Sequence, residues 1–138
     1  MHLAGFSHVS LTVTDLDAAR IFWTEVMGFE AVVEAPGLLI VVDAQVAIAC
    51  VTHEAGDHGP FDERRVGLDH LSFDVETVDQ LRAWEARLTG RGVPSAPIVE
   101  SPFGSHLNVR GPENLAIELV VMRPEMREAL FGGVHGES

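Results

Sequence analysis

The stretch His8-Val-Ser-Leu-Thr-Val13 returns 62 residues later as His70-Leu-Ser-Phe-Asp-Val75. Each copy is followed by a segment of similar length and apolar pattern that ends in a glycine, Gly28 in the first half and Gly90 in the second. Similarity at a constant offset indicates that one structural unit is present twice. The repeated stretch therefore predicts two copies of one module in a single chain.

The order of elements within each copy follows from local patterns. Alternation of apolar and polar residues predicts an opening strand at 6–13 and at 66–75. A helix follows, with Asp15 as N-cap in the first copy and Thr77 or Asp79 in the second. Three short strands complete each copy, at 30–34, 38–42 and 45–51, and at 96–99, 105–109 and 115–121. The sequence thus predicts an α+β fold of two tandem βαβββ modules.

The domain organisation follows from the length of the chain and from these elements. A chain of 138 residues is long enough to bury one ordinary core. We therefore expect a single domain over residues 1–138. Module one spans about 5–52, a Gly-, Asp-, His- and Arg-rich linker about 53–65, module two about 66–121, and a tail 122–138, with a short helix at 124–131.

Composition excludes several classes of function. The net charge of -12 argues against a nucleic-acid or membrane partner, and no segment is apolar enough to span a bilayer. Cys50 is the only cysteine, and the first residues lack the pattern of a signal peptide, so we expect a cytoplasmic protein. All nine basic residues are arginines and tyrosine is absent, which excludes lysine Schiff-base and tyrosyl acid–base chemistry.

Three residues together predict a metal site. His8 and His70 occupy matching positions of the repeat, and Glu118 interrupts the apolar strand at 115–121, where its counterpart in the first module is Ala49. A buried carboxylate without a partner costs several kcal/mol, so it needs a cation or strong donors. Two histidines and one carboxylate with open positions suit Fe²⁺, Mn²⁺, Co²⁺, Ni²⁺ or Zn²⁺. The alternative is that the three side chains only satisfy one another by hydrogen bonds.

These features resemble the vicinal oxygen chelate superfamily, also called the glyoxalase/bleomycin resistance protein/dioxygenase superfamily, over about residues 5–121. The segments that carry the resemblance are His8-Val-Ser-Leu-Thr-Val-Thr-Asp-Leu16, Phe22-Trp23, Met27-Gly-Phe-Glu30, Leu68-Asp-His-Leu-Ser-Phe73 and Gly111-Pro-Glu-Asn-Leu-Ala-Ile-Glu118. The resemblance implies a cupped, incomplete barrel-like mixed sheet with flanking helices. It also implies one divalent metal, Fe²⁺ or Mn²⁺ before Zn²⁺, Ni²⁺ or Co²⁺, that binds two adjacent oxygens of a small-molecule substrate. A homodimer is expected, with ligands from one chain or from two.

The branches of this family differ in residues that can be compared. Glyoxalase I members have a fourth ligand where this chain has Ala49, and extradiol dioxygenases have a tyrosine where it has Asn108. Fosfomycin-inactivating transferases carry phosphate-binding residues near the positions of Ile98 and Pro102, so that activity is not expected. The resemblance thus implies a three-ligand enzyme, dioxygenase-like or lyase/isomerase-like. The alternative is a metal-independent drug- or metabolite-binding protein of the bleomycin-resistance type.

Further site residues follow from strand alternation. His106 and Asn108 are expected on the ligand side of their strand, as candidate catalytic residues, with Arg110 at its rim. A histidine with an ordinary pKa near 6.5 can exchange a proton at neutral pH, or can simply be a polar rim residue. Ser10, Ser72 and Arg110 are the candidate substrate-binding residues.

Overall fold

The computed structural model describes residues 1–44, 46–56 and 59–133. It divides into two compact units, Met1–Pro60 and Phe61–Ser138. Gln45, His58 and the end of the tail from Val134, including His135, lie outside the described residues. In the part that is described, no helix is both long and apolar enough to cross a membrane.

The first unit contains one four-stranded mixed sheet and one helical segment. Its strands lie in the order β1-β4-β3-β2, with β1 parallel to β4 and the other pairs antiparallel. In chain order the elements are β1 (Val9–Thr12), α1 (Leu16–Arg20), a π-helical turn (Ile21–Val26), β2 (Glu30–Ala35), β3 (Leu38–Asp43) and β4 (Val46–Val51).

The second unit repeats this arrangement. The strand order is β5-β8-β7-β6, again with the outer pair β5 and β8 parallel. The elements are β5 (Leu71–Asp74), α2 (Val78–Gly90), β6 (Val99–Ser101), β7 (Gly104–Arg110), a 3₁₀ turn (Pro112–Asn114), β8 (Ala116–Met122) and α3 (Pro124–Phe131). The predicted α+β class and the βαβββ order of both modules are confirmed. The single-domain boundaries stay a prediction.

Both helix starts are capped as predicted. The Asp15 carboxylate accepts a hydrogen bond from the backbone N–H of Ala18 at 3.0 Å, and the Thr77 hydroxyl accepts one from Gln80 at 3.2 Å. These bonds satisfy amide groups that have no partner within the helix. Helix α2 ends at Gly90, but the residue that takes up the left-handed conformation is Gly92, at φ +70°.

The opening strands are shorter than predicted. They span only 9–12 and 71–74, because each is an edge strand that pairs along four positions with β4 or β8. His8 and His70 therefore lie one residue before their strands and not within them. The strand predicted at 96–99 is also displaced to 99–101, since Ser95 makes an isolated bridge to Val109 in its place.

Each unit packs its helix against the apolar face of its sheet. In the first unit, Phe22 and Phe29 make edge contacts with the buried Trp23 at centroid distances of 5.1 and 5.2 Å. In the second unit, the fully buried leucines of α2 and the inward residues of β7 and β8 form the core: Leu81, Leu88, Leu107, Ile117 and Leu119. The opposite face of the second sheet is left for polar side chains.

Candidate metal centre

Glu118 is on the polar face of the second sheet. Its neighbours in β8, Ile117 and Leu119, point into the core and are 1 % and 2 % exposed, whereas the Glu118 side chain is 19 % exposed. In the ladder, Glu118 lies between Ser72 of β5 and Asn108 of β7. The period of two along a strand thus places one carboxylate among the polar side chains of three adjacent strands.

Both oxygens of the Glu118 carboxylate have hydrogen-bond partners. The Ser72 hydroxyl donates to Oε1 at 2.7 Å, and Nδ1 of His106 lies 3.1 Å from Oε2. Nε2 of His70 is 3.9 Å from Oε1, which is longer than a hydrogen bond. The donors that the half-buried carboxylate requires are therefore present in this unit.

The ring of His70 is oriented by the residue before it. Nδ1 lies 2.7 Å from Oδ1 of Asp69, and a carboxylate accepts hydrogen bonds but does not donate them. Nδ1 therefore carries the proton, and in the neutral ring Nε2 is left with its lone pair. A carboxylate behind the imidazole is the usual support of a histidine that binds a metal.

The pair formed by His70 Nε2 and Glu118 Oε1 fits a divalent cation. His70 would offer an imidazole nitrogen and Glu118 a carboxylate oxygen, both of which are donors that such an ion accepts. The two atoms are 3.9 Å apart, so neither is bound to the other by a hydrogen bond. The donor set of unit two thus suits a metal with two of the three predicted ligands.

His8 shows the same local arrangement in the first unit. The Ser7 hydroxyl lies 2.8 Å from Nδ1 of His8, so the residue before each repeated histidine contacts the same ring nitrogen. A hydroxyl can donate or accept, so this contact also permits a lone pair on Nε2. The His8 and Ser10 side chains are exposed.

The predicted asymmetry between the modules appears in their strand register. Ser10 pairs with Ala49 in the first sheet, as Ser72 pairs with Glu118 in the second. Ala49 is buried, and its methyl group cannot bind a metal. The first module therefore offers His8 alone at the position where the second offers His70 and Glu118.

Among the described residues, no three His, Cys, Asp or Glu side chains lie together in a group that could hold a metal ion. The predicted ligand set takes one residue from the first unit and two from the second. Within the second unit, Oε1 of Glu118 lies 3.9 Å from Nε2 of His70, and Oε2 lies 3.1 Å from Nδ1 of His106.

A concave pocket of about 280 Å³ opens beside His70 and Glu118. Its lining includes the predicted residues Asn108 and Arg110 and two acidic side chains, Glu63 and Asp69. Asn108 and Arg110 lie on the same face of β7, because the alternate residues Leu107 and Val109 are buried.

The charge of Arg110 is matched by Glu63. Its guanidinium donates to both Glu63 oxygens, with Nη1 2.9 Å from Oε2, and Nη1 also donates to the Asn114 carbonyl. These hydrogen bonds lower the pKa of Glu63 to about 2 and raise the pKa of Arg110. A substrate anion that binds Arg110 has to compete with this ion pair.

His106 is engaged at both ring nitrogens. Nδ1 faces Glu118, and Nε2 is 2.6 Å from the Ser101 hydroxyl. Sequence reasoning missed Ser101, whose spacing from His106 is uninformative until the β6–β7 hairpin is known. It also missed Ser7 and Asp69, although both could have been found as the residues that precede the repeated histidines.

The sequence model described as the Glyoxalase/Bleomycin resistance protein/Dioxygenase superfamily matches residues 5–119. This match includes both modules and both repeated histidines. The chain belongs to that superfamily. The resemblance seen in the sequence is therefore confirmed, and with it the tandem-module fold.

Solved structures of the superfamily have the same fold. A glyoxylase/bleomycin resistance protein/dioxygenase domain from Frankia sp. EAN1pec is 35% identical, with a TM-score of 0.79 over 94% of this chain and 99% of that one. A fosfomycin resistance protein, FosX from Listeria monocytogenes, in a mutant form complexed with Mn(II) and 1S,2S-dihydroxypropylphosphonic acid, is 19% identical, with a TM-score of 0.74 over 94% and 99% of the chains.

A lactoylglutathione lyase from Agrobacterium tumefaciens is 22% identical, with a TM-score of 0.70 over 86% of this chain and 94% of that one. At 19% and 22% identity, the similarity to FosX and to the lyase concerns the fold alone. A search of curated proteins gave no significant match.

Proposed function

We propose that the chain is a divalent-metal-dependent enzyme acting on a small oxygenated metabolite, by dioxygenase-like or lyase/isomerase-like chemistry. His8, His70 and Glu118 are its metal ligands. The observation that carries the proposal is the Asp69–His70–Glu118 arrangement, in which two acceptor atoms lie 3.9 Å apart and each belongs to a side chain held by a further hydrogen bond. Superfamily membership supports it.

Fe²⁺ or Mn²⁺ is the proposed metal, with Zn²⁺, Ni²⁺ and Co²⁺ as alternatives. Nitrogen and carboxylate donors accept all five ions. Mn(II) is the ion in the FosX complex, whose bound molecule is also small and carries two hydroxyl groups. When bound, such an ion acts as a Lewis acid that stabilises negative charge on substrate oxygens.

The residues of the chain would then hold the metal ligands in place and orient the substrate. Ser72 donates to Oε1 of Glu118 and fixes the carboxylate, while Asp69 fixes the tautomer of His70. We propose that Asn108 and Arg110, which line the pocket, contact the substrate, together with Ser72 and the exposed Ser10 of the first unit. Arg110 offers the Nη groups that now bind Glu63. The acid–base role of His106 and the catalytic role of Asn108 stay predictions.

Metal stoichiometry tests the ligand set. The full chain, freed of metal with a chelator and without a His tag, is reconstituted anaerobically with each of the five ions and analysed for bound metal. We expect one ion per chain in the wild type, and loss of binding in His8→Ala, His70→Ala and Glu118→Ala. His53→Ala, a change at an exposed histidine outside the set, is the matched control. Unchanged stoichiometry in His70→Ala contradicts the proposal.

The reaction class is tested with the loaded protein. Catechols, thiol adducts of α-ketoaldehydes and α-keto acids are screened while oxygen uptake is recorded. Turnover with oxygen consumption supports a dioxygenase, and turnover without it supports a lyase or isomerase. No turnover of any of these compounds, with metal bound, excludes the three substrate classes and leaves the ligand set to be judged from the stoichiometry.

A second copy of the chain is the proposed macromolecular partner. Large apolar side chains are exposed on the segments that lead into the edge strands β1 and β5, namely Leu3, Phe6, Val66 and Leu68. Light scattering tests for a homodimer, and mixing His8→Ala with His70→Ala shows where the ligands originate. Recovery of metal binding in the mixture means that one site uses two chains. A cytoplasmic location stays a prediction.

A metal-independent binding protein of the bleomycin-resistance type is the second candidate. The observation that favours it is that both oxygens of Glu118 already accept hydrogen bonds within the chain. Thermal shifts caused by an aromatic or cationic ligand in excess chelator would support this function over the enzyme.

A further inference from the structure

A chain of hydrogen bonds links the β6–β7 turn to Glu118. The backbone N–H of Phe103 donates to the Ser101 hydroxyl at 3.0 Å. Ser101 Oγ lies 2.6 Å from Nε2 of His106, and Nδ1 of that ring lies 3.1 Å from Oε2 of Glu118. All four residues belong to the second unit.

The direction of these bonds follows from which groups can donate. An ionised carboxylate only accepts, so Nδ1 of His106 carries a proton and donates it to Glu118. The Ser101 oxygen already accepts from Phe103, so its own proton is free to point at Nε2. In a neutral His106 ring every link then has one donor and one acceptor, and the tautomer is the one with the proton on Nδ1.

The turn that starts this chain is held by the end of β8. The backbone N–H of Arg123 donates to the Phe103 carbonyl at 2.8 Å, and its side chain donates to the Ser101 carbonyl at 3.2 Å. Gly104 approaches β8 so closely that a Cβ atom would overlap the carbonyl of Val121. The carbonyl of Ser101 and the turn beside it are thus both held by Arg123, so that the Ser101 hydroxyl can orient the ring of His106.

The His106 ring is placed to act on Glu118 and not on a ligand in the pocket beside it. Its side chain is only 14 % exposed, and both nitrogens are engaged. Of the described residues, those that line the pocket include Glu118 but neither His106 nor Ser101. A hydrogen bond shielded from water in this way is electrostatically stronger than an exposed one.

We propose that Ser101 and His106 are positioning residues, which bind Oε2 of Glu118 and so turn Oε1 towards His70 as the oxygen that binds the metal. Oε1 also accepts the hydrogen bond of Ser72 at 2.7 Å, and its second lone pair is the one that would bind the ion. This inference rests on the proposed function, because it concerns the same metal. It assigns His106 a role different from proton transfer to the substrate, and it assigns Ser101 a role for the first time.

The test is Mn²⁺ affinity of the full chain, measured from the electron paramagnetic resonance signal of free Mn²⁺. We expect His106→Leu to weaken binding about 10- to 100-fold, as is usual when a group that supports a metal ligand is lost. His106→Asn should recover most of that loss, because its amide can donate from nearly the position of Nδ1. Ser101→Ala should cause a smaller loss. Thermal melting of the metal-free variants shows whether each of them folds.

Ser105→Ala is the matched control. The Ser105 hydroxyl donates at 2.7 Å to Glu100, which precedes Ser101 on the partner strand, and so it serves a carboxylate other than Glu118. We expect the Mn²⁺ affinity of this variant to equal that of the wild type. If His106→Leu fails to fold, the Ser101→Ala and His106→Asn pair carries the test, since an affinity equal to wild type in Ser101→Ala overturns the inference.

Different results would overturn the proposed ligand set and the proposed positioning role. If the wild type binds one Mn²⁺, His70→Ala binds none and His106→Leu binds within about twofold of the wild type, the positioning role is wrong and the ligand set stands. If His106→Asn binds as weakly as His106→Leu, the hydrogen bond to Oε2 is not the cause and the inference also fails. If the wild type binds no metal, both proposals are overturned.

Discussion

Oδ1 of Asp69 lies 2.7 Å from Nδ1 of His70, so the neutral ring presents its other nitrogen as a lone pair. The residue that orients the ring is its own neighbour in sequence, and its side chain is exposed. In the other unit Ser7 contacts His8 in the same way at 2.8 Å. The orientation of both histidines is therefore set locally, before either sheet is considered.

Removing the acceptor at Asp69 should weaken metal binding. We expect Asp69→Ala to lower Mn²⁺ affinity about tenfold, because the tautomer and the angle of the His70 ring are no longer fixed. Asp69→Asn keeps an oxygen that accepts from Nδ1 and should lose less. Titration of both metal-free variants measures the difference; equal affinities for Asp69→Ala and wild type would show that the neighbour is irrelevant.

A carboxylate at Ala49 should make the folding of the first unit depend on metal. Ala49 is buried beside Ser10, so Ala49→Glu should lower the free energy of unfolding of the metal-free protein by about 2 kcal/mol. Ala49→Gln has the same size without the charge. Urea unfolding with and without Mn²⁺ should show a larger gain from the metal for Ala49→Glu than for Ala49→Gln, and an equal gain speaks against a metal near this position.

The Glu63–Arg110 pair should contribute to stability in a defined range of pH. Arg110 lowers the pKa of Glu63 from 4.5 to about 2, so the pair stabilises the folded state above pH 4.5 and loses its effect as the pH falls towards 2. We expect wild type to be more stable than Glu63→Gln at pH 6, with the difference shrinking over that range. Urea unfolding at a series of pH values measures it.

Asp62 has to be considered in the same experiment. Its hydrogen bonds with Arg64 lower its pKa to about 2 as well, so it loses stabilising effect over an overlapping range. Because Asp62 is present in both proteins, its hydrogen bonds with Arg64 cancel in the difference between wild type and Glu63→Gln, and only its charge repulsion with Glu63 remains. A difference that is constant from pH 6 to pH 2 would contradict the assigned pKa of Glu63.

Two glycines should respond in opposite ways to alanine. Gly104→Ala places a methyl group against the Val121 carbonyl at a φ of +153°, and we expect a loss of about 2–3 kcal/mol in the free energy of unfolding. Gly90→Ala meets open space at the end of α2 and should be neutral or stabilising by up to about 1 kcal/mol. Thermal melting of both variants distinguishes the cost of steric overlap and backbone strain at Gly104 from the effect of replacing a glycine where there is space, as at Gly90.

The module order could be predicted because it depends on signals that are local and repeated. Alternation, the caps at Asp15 and Thr77, and the offset of 62 residues each follow from short-range chemistry. The π-helical turn Ile21–Val26 could not, since its bonds to the fifth residue leave the same apolar spacing as an α-helix. The ends of the strands at 9 and 71 depend on the length of the paired ladder, which a single strand does not encode.

The candidate site likewise contains residues that could be predicted from the sequence and contacts that could not. The repeat singled out His70, and the apolar run around Glu118 made that residue conspicuous. The Ser101–His106 contact depends on a two-residue turn and on the register of β6 against β7, where Val99 pairs with His106. The ion pair of Arg110 joins residues 47 positions apart. Such contacts come from tertiary structure, and composition alone does not reveal them.

The equivalent register of Ala49 and Glu118 also bears on how the two halves diverged. If the modules descend from one duplicated segment, both began with the same residue at this position, and one has since changed. An alanine codon can become a glutamate codon by a single nucleotide change. One mutation can therefore separate a chain with a carboxylate only at position 118 from a chain with carboxylates at both 49 and 118. Ser10, already opposite Ala49 as Ser72 is opposite Glu118, would give the new side chain a hydroxyl partner at once. With the proposed ligand set, a protein with three ligands and a protein with four would thus differ by a single substitution on this fold.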